Sequence, residues 1–134
     1  MKLVVTANGK GLDAPTSPFF GRCPWYVLVE TETLECETIA NPAQSAAGGA
    51  GIQAAQYLVA QGAQAILSGN VGPNAFQVLS AAGIPVYLCA EGTVRQAVEG
   101  FQAGQLESAN APTAPSHIGL GGRGRGGGRG RSGR

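Results

Sequence analysis

After residue 50 the chain repeats one local pattern, and that pattern constrains its fold more than any other feature. Residues 52–61 carry Ile52, Ala55, Leu58 and Val59 at helical spacing, and Gly62 stands where such a helix ends. A short apolar run, 65–68, follows. Pro73 suits the first turn of a second helix, 74–82, which Gly83 closes. The run 85–89 is again short and apolar. Thr93 is a good N-cap for a third helix, 94–102, with Val94, Ala97, Val98 and Phe101 on one face and Gly104 at its end. Strands joined through helices pair in parallel, by right-handed crossovers.

The first forty residues read differently. Residues 3–7 form an apolar, β-branched run, and residues 8–24 are rich in Gly and Pro, which marks a long loop. The runs 25–30 and 34–39 flank a turn at Thr31-Glu32-Thr33 and read as a β-hairpin. In the second run Leu34, Cys36 and Thr38 share one face, so Cys36 is expected in the core. The order β, β, β, α, β, α, β, α gives an α/β domain with a five-stranded mixed sheet, one strand of which is antiparallel. The domain is expected to span 1–104, followed by a linker, 105–118. Residues 119–134 are Gly/Arg low complexity and expected to be disordered, because nothing there offsets the entropy of ordering.

Charge then narrows the chemistry. Residues 38–90 contain no Asp, Glu, Lys, Arg or His. Such a segment holds no carboxylate pair, His-based triad or catalytic Lys, so acid–base catalysis would need groups from elsewhere. The expectation is a protein that is not an enzyme. No run approaches the roughly 18 apolar residues of a membrane span. The apolar start, residues 3–5, is too short for a signal peptide core, which points to the cytoplasm. The three Cys, at 23, 36 and 89, include no Cys-x-x-Cys pair, which argues against a disulfide framework or a local zinc knuckle.

In open α/β sheets ligands bind beyond the carboxyl ends of the parallel strands. Topology brings Arg22, Cys23, the Gly-rich helix start at Gly49 and Gly51, Asn70, Asn74 and Cys89 towards that rim. Gly49-x-Gly51-x-x-Ala54 formally matches a dinucleotide fingerprint, but the acid expected about 20 residues on is absent. Two readings remain: a tight turn for close packing, or backbone N–H groups forming an anion site at a helix start. Cys23 and Cys89 also carry two readings, as tolerated loop residues or as soft ligands for iron or a cluster. Arg22 beside Cys23 would favour thiolate. His117 falls in the linker, either solvated or as a ligand that folds over the site.

The tail carries Arg123, Arg125, Arg129, Arg131 and Arg134 and no acid, whereas residues 1–120 carry all eight acids against four bases. It resembles RGG-type segments that bind RNA by charge and guanidinium stacking, but has no aromatic residue. A solubilising tail, an RNA or scaffolding contact, self-association with the acidic body of a neighbour, and contact with an anionic cluster all fit.

The blocks 49–55, Gly69-Asn70-Val71-Gly72-Pro73-Asn74-Ala75-Phe76 and Ala82-Gly83-Ile84-Pro85-Val86-Tyr87 resemble the dinitrogenase iron–molybdenum cofactor biosynthesis family, which includes NifX, NafY and the C-terminal part of NifB. Phe20-Gly21-Arg22 is similar to that family's N-terminal loop signature. The resemblance covers roughly residues 1–103. It implies a ribonuclease H-like three-layer α/β/α fold with an antiparallel second strand. It also implies non-enzymatic binding, carriage or storage of an iron–sulfur or iron–molybdenum type cluster or its precursor, passed between donor and acceptor proteins. Family members commonly place Cys or His in the loop before the second strand. Here that loop offers Cys23 and no His.

Overall fold

The computed structural model describes residues 1–43, 49–89 and 91–111. The sheet is built from β1 (Lys2–Ala7), β2 (Trp25–Glu30), β3 (Cys36–Ala40), β4 (Ala65–Ser68), β5 (Val86–Leu88) and β6 (Glu107–Ser108), in the spatial order β3-β2-β1-β4-β5-β6. β1 pairs parallel with β4 and β4 with β5, while β2 runs antiparallel to both β1 and β3. β1, β3, β4 and β5 therefore end on one edge of the sheet.

The central strands are apolar on both sides because helices cover both. Helices α1 (Ala50–Ala60) and α2 (Pro73–Ala81) lie together on one face, where Ala54, Ala55, Leu58 and Leu79 meet Val4, Leu28, Ile66 and Val86. Helix α3 (Val94–Gln102) covers the other face, setting Val94, Ala97 and Val98 against Leu3, Val5, Val27 and Leu67. Burying each Leu or Ile fully contributes about 1.5–3 kcal/mol. The helix ends follow local chemistry. Thr93 and Gln96 form a reciprocal capping box on α3, and Gly62, Gly83 and Gly104 follow the three helices at positive φ. Lys2 Nζ donates to the Gln61 carbonyl at 2.9 Å, placing a cation at the negative end of α1.

Two expectations are corrected. The sheet has six strands, not five: Glu107–Ser108 pairs antiparallel with β5 inside the segment read as linker. Two polar residues leave no periodic signal, and the pairing is anchored by neighbours, with Leu106 packed in the α3-side core and Ala109 N–H donating to Val86 at 2.8 Å. Cys36 is exposed rather than buried. Alternation gave its face, but β3 is the outermost strand and its start is uncovered. Residues 112–134, with His117 and the Gly/Arg tail, and the stretch 44–48 lie outside the described residues.

Candidate functional site

The carboxyl edge of the sheet carries a pocket of about 270 Å³, lined by residues 20–22, 49–52 and 72–75. Its three walls are the loop before β2 and the starts of α1 and α2. Gln53 N–H is the donor that closes the first turn of α1, onto Gly49 at 3.0 Å, and Phe76 N–H does the same for α2, onto Gly72 at 2.9 Å. The N–H groups of Ala50, Gly51, Ile52, Asn74 and Ala75 precede those donors and have no partner within their helices. Among the described residues no side chain caps either helix, and neither helix has an acid in its first turn. Both helix dipoles thus present positive ends at the pocket. Arg22 is exposed on its wall and is the one ionisable side chain among the described lining residues.

Glycine makes this convergence possible. Gly49, at the N-cap of α1, has φ 72°, a conformation that side-chain-bearing residues adopt only with strain. A Cβ on Gly21 would lie 3.1 Å from Gly51 N and 3.2 Å from Gly51 Cα, so the loop rests directly on α1. A Cβ on Gly51 would meet Ala75 Cβ at 3.3 Å, which draws the two helix starts together.

The loop is held from below. Asn41 is buried, and its Nδ2 donates to the Gly21 and Cys23 carbonyls at 3.0 and 2.8 Å. Its Oδ1 accepts from Ala43 N–H at 2.8 Å. The buried Tyr26 hydroxyl donates to the Phe20 carbonyl. Phe20 N–H donates to the Asn70 carbonyl at 3.1 Å, and Asn70 Nδ2 donates to the Pro18 carbonyl at 3.1 Å. Deeper still, Thr6 Oγ1 donates to Ser17 O at 2.6 Å and lies 3.1 Å from Ser68 Oγ, tying the loop to β1 and β4.

The structure therefore gathers Arg22, Gly49, Gly51 and Asn74 around one pocket and sets Asn70 behind its loop wall. The cysteines sit apart from it and from each other. Cys23 is 1% exposed, within the core cluster on the α1/α2 side. Its thiol faces the Trp25 and Phe20 carbonyls at 3.3 and 3.6 Å, and burial pushes its pKa up to about 11. Cys89 packs against the α3-side cluster and lines a separate cavity with Glu91 and Thr93; burial raises its pKa to about 11 as well. No three His, Cys, Asp or Glu side chains among the described residues come together as a metal site. Sequence reasoning passed over Asn41 and Tyr26. Asn41-Pro42-Ala43 carried a signal, because Asn bonding the backbone two residues on is a common turn device.

A family model described as dinitrogenase iron–molybdenum cofactor matches residues 1–104. The chain belongs to the dinitrogenase iron–molybdenum cofactor family. Within reach of this family lies the apo form of the orange protein from Desulfovibrio gigas, whose solved structure is 46% identical, with a TM-score of 0.81 over 84% of this chain and 96% of that one. A Thermotoga protein assigned as NifB and to the DUF35 family is 33% identical, with a TM-score of 0.75 over 85% of this chain and 97% of that one. An uncharacterized protein of Methanocaldococcus jannaschii is 35% identical over 94 residues, which is 68% of this chain and 80% of the relative. No described helix is long and apolar enough to cross a membrane.

Proposed function

We propose that this chain is a non-enzymatic carrier or store for an anionic metallocluster, of iron–sulfur or iron–molybdenum type, or for its precursor. The observation that carries this reading is the convergence of Arg22 with two helix N-termini, which no described side chain caps, on a pocket with no acid among its described lining residues. Family membership supplies the cargo class. In this reading Arg22, Asn74 and the N–H groups around Gly51 contact the cargo, Gly49 shapes the turn, and Asn70 supports the loop. The donors present suit recognition of an already assembled anion by charge and hydrogen bonds. Cys23 lies beneath the loop and becomes a ligand only if residues 20–22 lift; Cys89 would serve a different face.

The sheet order, with β2 antiparallel, supports a ribonuclease H-like three-layer architecture. None of the described residues lining the pocket carries a carboxylate, which supports binding rather than hydrolysis. The cytoplasm is the compartment this role fits, with cluster-donor and cluster-acceptor proteins as partners. The test is to purify the full chain anaerobically and measure its iron, molybdenum and acid-labile sulfide. Near-stoichiometric metal with sulfide supports the reading. A colourless, metal-free protein that also fails anaerobic reconstitution removes it.

A further inference from the structure

The edge of the sheet opposite the pocket has a different character. The β2–β3 hairpin turns there, and Glu30, Glu32, Glu35 and Glu37 lie within eight residues of chain. Glu30 pairs with the amino terminus of Met1. Glu32, Glu35 and Glu37 are exposed and form no ion pair with any described residue. Glu30, Glu35, Glu37, Cys36 and Leu28 line a groove of about 190 Å³ along the start of β3, the strand at the free edge of the sheet. Lys2 also lines it, but its ammonium is held by the Gln61 carbonyl at 2.9 Å.

The outgoing chain heads for the same end. β6 is antiparallel to β5, with Glu107 opposite Leu88 and Ser108 opposite Tyr87, so residues 109–111 run towards the amino edge of the parallel strands. That is the edge where Glu30 pairs with Lys2 and the hairpin turns. Six strands place β6 about 24 Å from β3 across the sheet. The twelve steps from Ala111 to Arg123 span up to about 40 Å when extended. The chain beyond Ala111 carries five Arg and no acid.

We propose that the Arg-rich residues 123–134 dock on the acidic β2–β3 hairpin and free β3 edge of their own chain. Guanidinium forks match carboxylates bidentately, and several such pairs in one groove act together where a single exposed pair would contribute little. The docked tail neutralises the hairpin and keeps five cations at the edge opposite the pocket. This goes beyond the carrier reading and does not depend on it, because no cargo is involved.

The test compares amide NMR spectra of the full chain with those of a full-length variant in which Arg123, Arg125, Arg129, Arg131 and Arg134 are all replaced by Gln. The spectra are taken without cargo at about 20 mM and about 500 mM salt, the latter shortening the Debye length to about 4 Å. Among the amides of residues 1–111, the expected result is differences confined to residues 30–40 at low salt and lost at high salt. The triple variant Glu32→Gln, Glu35→Gln, Glu37→Gln, which leaves the Glu30 pair and the core intact, should show the same loss of tail-dependent shifts. Differences that map instead to residues 20–22, 49–52 and 72–75 would place the tail at the pocket and overturn the proposal. So would shifts that grow with protein concentration, which would mark a second copy as the partner, or no differences among residues 1–111.

Discussion

Gly21 lies on the first turn of α1 so closely that a Cβ there would stand 3.1 Å from the backbone nitrogen of Gly51. Two backbones meeting without side chains leave N–H groups facing the pocket rather than packed behind methyls. Gly21→Ala should therefore lift residues 20–22 and weaken cargo binding more than it lowers stability. The expected stability loss is about 1–2 kcal/mol, as for a mild overpacking. Parallel urea unfolding and cargo-retention measurements separate the two effects.

Asn41 satisfies three backbone groups with one buried side chain. Asn41→Ala leaves the Gly21 and Cys23 carbonyls and the Ala43 N–H without that partner. A loss of about 2–3 kcal/mol is expected, because unsatisfied buried polar groups carry their full desolvation cost. The same variant should loosen the Arg22 loop, seen as faster hydrogen exchange at residues 20–23.

Leu34 adopts φ 62° in the β2–β3 turn although it has a side chain. The left-handed region costs roughly 1–2 kcal/mol for such a residue, and Asn tolerates it better. Leu34 is only 38% exposed, so replacing it by Asn also gives up packing worth about 1–2 kcal/mol, which offsets that relief. Leu34→Asn should therefore nearly break even, whereas Leu34→Ala, which loses the packing and keeps the strain, should lower Tm by about 4–8 °C in a thermal melt.

Burial holds the Cys23 and Cys89 thiols neutral to about pH 11, against an ordinary value of 9.0. In the unfolded chain both ionise near 9. The folded state therefore keeps protons that the unfolded state releases, and stability falls as pH rises from 9 to 11. The contribution is fully present below pH 9. Urea midpoints should be flat between pH 7 and 8.5 and decline above 9. At pH 8 iodoacetamide should modify the exposed Cys36 first, with Cys23 following only as fast as the protein opens.

Local chemistry was legible and long-range pairing was not. The Thr93 cap, the closing glycines after each helix and the parallel crossovers all follow from residues adjacent in sequence. The convergence of Arg22, Gly49, Gly51 and Asn74 was legible because strand order dictates which loops share an edge. The position of Cys23 was not, since whether a residue at a strand entrance points into the core depends on the loop folding back over it. Cys36 was misplaced for the converse reason: alternation assigns a face, but only the neighbouring elements decide whether that face is covered. The role of Asn41 depends on carbonyls 18 and 20 residues away, a distance no local pattern reports.

The most direct measurement of the central claim is cargo retention by Arg22→Ala and Cys23→Ala beside the wild type. Each full-length protein is loaded anaerobically with iron and sulfide, with and without molybdate, and separated from free cluster by gel filtration. The account predicts that Cys23→Ala retains metal close to the wild-type level once corrected for folded fraction, while Arg22→Ala loses most of it. Retention by Arg22→Ala together with loss in Cys23→Ala would contradict a charge-recognised anion in the pocket and put a thiolate at the centre of the site.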